Sequence, residues 1–109
     1  MAKEKGKEKG KAKGKAKEKG KLGREEVAAG LERLPGWRRE GDTIERSYEF
    51  PDFRTALAFV VYVGELAEQA GHHPDVELGW GRVRLALSTH SAGGLTEKDL
   101  SLARSVDHV

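Results

Sequence analysis

His72 and His73 stand side by side in "GHHPDVELGW" (71–80), and His90 follows in "LSTHSAGG" (87–94), so three of the chain's four histidines flank one short run. Imidazole titrates near pH 6.5, which suits it to give and take protons at neutral pH. Glu68 precedes His72 by one helical turn. A carboxylate among apolar neighbours is costly unless it is paired. The histidines four and five residues on predict that Glu68 holds one imidazole and sets its tautomer. Pro74 pushes His73 toward an extended backbone, so the two adjacent rings diverge. Three histidines and a water could also hold a catalytic zinc. Adjacent histidines lack the i, i+4 spacing that aims two rings at one ion, and the chain has no cysteine to add a thiolate. A third reading makes all of them solvated loop residues; proton transfer is favoured over both. Ser88, Ser91 and Ser101 lack a nucleophile-elbow setting. Asp99 follows Thr96 by three residues, a capping-box spacing in which the acid serves a helix N-terminus; a cap beside His90 could also orient a ligand.

The elements around these residues are short. "REEVAAGLERLPGW" spaces Val27, Leu31 and Leu34 as a helix that Pro35-Gly36 ends. "WRREGDTIERSYEF" is a hairpin with Gly41-Asp42 at its turn and Ile44, Tyr48 and Phe50 on one strand parity. Pro51-Asp52 then opens the longest helix, on which Leu57, Val61, Gly64 and Glu68 share a face, and Gly71 takes the C-cap position. Val76, Leu78 and Trp80 alternate, then Val83, Leu85 and Leu87, with Gly79 and Gly81 around the bend. Leu100, Ala103 and Val106 fall at helical spacing in a last helix. The order α-β-β-α-β-β-α, with hairpins joined by helices, predicts an α+β fold with an antiparallel sheet. At the hairpin's open end His72, His73 and His90 are expected to converge on one pocket.

Composition divides the chain in two. Residues 1–21 carry lysine at every odd position from 3 to 21 and three glutamates, a net of +7; residues 22–109 carry ten Lys and Arg against fifteen Asp and Glu, a net of −5. The lysine-rich tail has no large apolar side chain after Met1 and is expected to be disordered. Three roles are open to it: a solubilising extension, attraction to nucleic acid or another anionic surface, or contact with the acidic part. No aromatic or arginine interrupts it, so base stacking is not expected; nucleic-acid contact, if any, falls to this tail. The start "MAKEKGKEKG" lacks the apolar stretch of a secretory signal, and the longest apolar run, "ALAFVVYV", is far short of a membrane span. A soluble cytoplasmic protein without membrane contact is the expectation.

Glu68, His72-His73-Pro74, Trp80, His90 and Asp99 together resemble the pattern of the pterin-4a-carbinolamine dehydratases in type and in spacing. "LSTHSAGGLTEKD" is similar to that family's last strand and turn, and "YEFPDFRTALAF" to its entry into the central helix. The resemblance covers about residues 22–109, which would be the dehydratase-like domain, and leaves out the tail. It implies a four-stranded antiparallel sheet with three helices on one face, assembled as a homo-dimer or homo-tetramer. It implies dehydration of a 4a-hydroxytetrahydropterin to quinonoid dihydropterin and water, a step of pterin recycling that needs no metal or other cofactor. By the same resemblance His72 and His90 are expected to be the acid–base pair and His73 to hold the pterin. Glu68 would orient an imidazole, Trp80 would wall the site or support the hairpin, and Asp99 would cap and orient. Which of His72 and His90 gives the proton and which takes it stays open. Many relatives carry an acid where this chain has Gly71 and arginine where it has Lys98, and lysine lacks the planar fork of arginine. The alternative from another class is a non-catalytic binding or assembly module on the same scaffold.

Overall fold

A computed structural model describes residues 20–108. Most of the lysine-rich tail, residues 1–19, and with it the disorder expected there, lie outside the described residues. Helix α1 is Arg24–Leu31, strands β1 and β2 are Arg38–Glu40 and Thr43–Glu49, and helix α2 is Phe53–Ala70. Strands β3 and β4 are Asp75–Leu78 and Arg82–Leu87, and helix α3 is Glu97–Asp107. The four strands form one antiparallel sheet in the order β1-β2-β4-β3. This is the expected α+β arrangement.

Local signals account for the boundaries. Asp52 caps α2 by accepting the Thr55 N–H at 2.8 Å, and hydrogen bonding from the Thr55 side chain, then from its backbone, lowers the carboxyl pKa from its ordinary value. Gly71 ends α2 in the left-handed region at φ 65°, where glycine is the least strained residue. Its N–H and that of His72 return to the carbonyls of Glu68 and Ala67. Gly81 has a different reason to be glycine: an added Cβ would sit 2.8 Å from the Phe50 carbonyl oxygen. That oxygen is backbone and cannot step aside cheaply. Gly81→Ala is therefore expected to destabilise the fold by ~1–3 kcal/mol, read as a shift in the urea midpoint with an unchanged slope.

The register Ile44↔Leu87, Arg46↔Leu85, Tyr48↔Val83 puts Ile44, Val83, Leu85 and Leu87 on the covered face of the sheet. They join one buried cluster with Val27 of α1, Ala56, Val63 and Ala67 of α2, and Leu100, Ala103 and Val106 of α3. The opposite parity carries charge: Arg84 bridges Glu45 at 2.8 Å and Glu77 at 3.1 Å across three strands. Polar cross-strand pairs on that face and apolar residues on the other fix the register, because a one-residue slip would exchange them. Leu34 lies beyond the end of α1 rather than within it, yet is buried as its spacing suggested.

The long helix turns a different side inward from the one its spacing singled out. Leu57, Val61, Gly64 and Glu68 all face solvent, and the buried line is Ala56, Val63 and Ala67. Small side chains let the helix lie close on the sheet, with Phe59 against Tyr48 and Phe50 at ring-centre distances of 4.7 and 5.1 Å.

A polar knot closes the far end of α3. Asp107 accepts the Trp37 indole N–H at 2.7 Å, an Arg46 N–H at 3.0 Å and the Tyr48 hydroxyl at 2.6 Å. Burial and the bond to Asp107 push the Tyr48 phenol well above its usual range, so it remains a donor. Among the described residues no helix is long and apolar enough to cross a membrane.

Candidate functional site

Asp99 is the centre of the site. Its residue is 0% exposed, and a carboxylate so buried must be hydrogen-bonded on both oxygens. Oδ2 accepts the Thr96 N–H at 2.9 Å and the Thr89 hydroxyl at 2.8 Å, while Oδ1 lies 2.5 Å from His72 Nε2. The first bond belongs to the expected Thr96–Asp99 capping box of α3. The same carboxylate thus serves the helix with one oxygen and an imidazole with the other. His72 reaches it because the Gly71 cap turns the chain back over the end of α2. Its side chain is 11% exposed. A carboxylate only accepts, so Nε2 carries the ring proton and Nδ1 is left as the nitrogen able to take one.

Glu68 does pair with a histidine, but with His73: Oε2 lies 2.5 Å from Nε2. The pair is on the surface rather than partly buried, with side chains 74% and 60% exposed. Neighbouring histidines diverge, as Pro74 predicts, one to a buried carboxylate and one to an exposed carboxylate. His90 opens a short 3-10 turn, His90–Ala92, directly after Thr89, and its side chain is exposed. Thr89 and Gly94 close that turn through a backbone bond of 2.9 Å. His90 therefore stands one residue from Thr89, itself bound to Asp99, but among the described residues its side chain bonds to neither His72 nor His73. Trp80 is 71% exposed at the closed end of the β3–β4 hairpin. The six residues of β4 separate it from His90, about 20 Å at strand rise, and β3 separates it from His72 and His73.

A cavity of about 500 Å³ lies beside His72, between the end of α2 and the first turns of α3. Leu66, Gln69, Lys98, Ser101 and Leu102 line it with His72; His73 and His90 do not. The three histidines thus occupy one end of the molecule without sharing one cavity wall. Among the described residues no three His, Asp or Glu side chains are grouped to hold a metal ion.

One participant was not singled out from sequence. Thr89 immediately precedes His90 and could have been noticed as a hydroxyl beside a candidate acid–base group. The Trp37–Arg46–Tyr48–Asp107 knot joins residues up to 70 apart and carries no local signal.

The fold and these side chains define a small α+β protein with a histidine held by a buried carboxylate next to a ligand-sized cavity. Sequence comparison makes this specific. The profile of the pterin 4 alpha carbinolamine dehydratase family matches residues 20–109, and the chain belongs to that family. A Thermomicrobium roseum protein, named provisionally as a pterin-4-alpha-carbinolamine dehydratase, is 50% identical over 79% of this chain and 92% of its own length. A similarly named Acidobacterium capsulatum protein is 56% identical over 80% and 95%. In structure the chain is similar to a transcriptional coactivator/pterin dehydratase from Brucella melitensis, with TM-score 0.77 and 36% identity over 81% of this chain and 96% of that one. It is also similar to a pterin dehydratase-like protein described as a RuBisCO assembly factor in the alpha-carboxysome, with TM-score 0.57 and 25% identity over 67% and 87%.

Proposed function

We propose that the protein is an active 4a-hydroxytetrahydropterin dehydratase that works by histidine acid–base catalysis. The observation that carries this reading is the His72 imidazole, fixed by fully buried Asp99 and lining a cavity of suitable size. The substrate bears a hydroxyl on carbon 4a and a hydrogen on the adjacent nitrogen 5. Dehydration takes the proton from nitrogen, breaks the bond from carbon 4a to oxygen and forms the double bond from nitrogen 5 to carbon 4a. The departing oxygen collects a proton and leaves as water. One group must accept and another must donate, and each transfer is worth ~10²–10⁴-fold in rate. With its proton held on Nε2 by Asp99, His72 offers Nδ1 as the acceptor. His90, exposed one residue beyond Thr89, is the donor, and His73 with Glu68 holds the rim of the pterin. Neither step requires a metal or an organic cofactor. Trp80 takes no part within one chain. A cytoplasmic setting and pterin recycling accompany this reading.

The names of two structural relatives, a coactivator and an assembly factor, favour a second reading in which the scaffold serves binding alone. The two separate on one assay: dehydration of freshly made substrate, which a binding module leaves at the buffer rate.

We also infer that the protein self-associates through α2, as a dimer or tetramer. Phe53, Leu57 and Val61 recur every four residues along it and are exposed. A second copy covering that stripe would bury apolar surface that one chain leaves in water. Leu57→Glu with Val61→Glu is expected to convert the assembly to a folded monomer. Light scattering after gel filtration would read the mass and circular dichroism the fold; an already monomeric wild type would contradict the inference.

A further inference from the structure

The end of α3 remote from His72, ten residues and about 15 Å along the helix, holds a second cleft. It encloses about 350 Å³ between the turn after α1 and the helix end, and Arg33, Leu34, Arg46, Arg104, Asp107 and His108 line it. Three guanidiniums and one carboxylate line it, and that carboxylate is already occupied by the Trp37, Arg46 and Tyr48 donors.

Arg46 is the most firmly held of the three. One of its terminal nitrogens donates to the Pro35 carbonyl at 2.7 Å and to Asp107 at 3.0 Å. Its guanidinium lies 4.6 Å from the centre of the Tyr48 ring and packs against Gly36, where a Cβ would come within 2.7 Å of Nε. Its second terminal nitrogen has no hydrogen-bond partner among the described residues. The Arg33 guanidinium has neither a hydrogen bond nor an ion pair among them. Arg104 pairs with Glu97, but both side chains are about half exposed or more, so that pair is weak and exchangeable. The carbonyl end of α3 contributes about half a negative charge. Asp107 balances one guanidinium, and the remainder leaves the cleft positive in a folded part that is acidic as a whole.

We propose that this cleft is an anion site that takes a dianionic phosphate group, either inorganic phosphate or the phosphate of a small monoester. Arginine forks match phosphate oxygens in pairs, and Arg46 arrives already ordered, so little freedom is lost when it binds. Leu34 supplies an apolar wall for the organic part of an ester. The site shares no residue with the His72 cavity and does not depend on the dehydratase reading.

The test uses the intact ¹⁵N-labelled chain, titrated with inorganic phosphate and in parallel with glycerol 3-phosphate at constant ionic strength. The Trp37 indole N–H is bonded to Asp107 at the cleft and is the reporter; the Trp80 indole at the hairpin tip is the control. The Trp37 resonance is expected to move saturably, with a low-millimolar midpoint or tighter, while Trp80 stays in place. The exposed pair Arg33→Gln and Arg104→Gln should weaken the midpoint at least tenfold without shifting the ligand-free spectrum of the core. A tenfold preference for the ester would assign the site to a monoester, and equal affinity to free phosphate. Parallel unsaturated drift of both indoles, or a double variant that binds as well as wild type, would overturn the proposal.

Discussion

Asp99→Asn is expected to leave the protein folded and to lower its dehydratase turnover by at least ~100-fold. Oδ2 of Asp99 accepts from the Thr96 N–H and the Thr89 hydroxyl, so the amide oxygen of asparagine must take that side. The amide nitrogen is then turned toward His72. An amide N–H donates, so it can meet only an unprotonated Nε2, and the ring proton moves to Nδ1. The imidazole stays in place with its acceptor nitrogen pointed the wrong way. Stability should fall by only ~1 kcal/mol, because the cap and the threonine bond survive. Asp99→Leu is the contrasting change: it leaves the Thr96 N–H, the Thr89 hydroxyl and His72 without their shared partner, at ~2–4 kcal/mol. Chemical denaturation read beside turnover separates the two effects. A fully active Asp99→Asn protein would remove the carboxylate from the account of the mechanism.

His72→Ala and His90→Ala are each expected to reduce kcat by ~10²–10⁴-fold, with melting temperatures close to wild type for His90→Ala. His90 is exposed and makes no side-chain hydrogen bond among the described residues, so its loss should be visible only in chemistry. His73→Ala and Glu68→Ala should act differently. Their pair lies in water, where such contacts contribute little to stability. If His73 holds substrate, its removal raises KM and leaves kcat within a few-fold. A kcat loss at His73 equal to that at His72 would mean that the proton-transfer pair has been assigned to the wrong neighbour.

Much of the scaffold was legible because its signals are local. Asp52, Gly71 and the Thr96–Asp99 box each act within a few residues of the boundary they set. The alternation of Val83, Leu85 and Leu87 reports the covered face of β4 with no knowledge of its neighbours. The side of α2 that faces inward was not legible in this way. That helix is apolar on more than one side, so Leu57 and Val61 look as fit for burial as Ala56 and Val63. Only the close approach of helix to sheet selects the small residues.

The site divides along the same line. Glu68 and His73 are five residues apart, and their pairing could be anticipated from that spacing. His72 and Asp99 are 27 apart, and only the folded order of α2, β4 and α3 brings them together. Asp99 read as a helix cap was correct for one of its oxygens. The other oxygen is where spacing has nothing to say. Trp80 matched a family pattern, but the β3–β4 hairpin holds it at the end away from the histidines within one chain.

Catalysis through His72 is tested most directly by stopped-flow spectroscopy. Freshly generated 4a-hydroxytetrahydropterin would be mixed with wild type and with His72→Ala, with and without a chelator, and quinonoid dihydropterin followed by its ultraviolet absorbance. Formation well above the rate in buffer, unchanged by chelator and nearly abolished in His72→Ala, is the predicted result. A folded wild type no faster than buffer would contradict the account and leave the chain a binding module on a dehydratase scaffold.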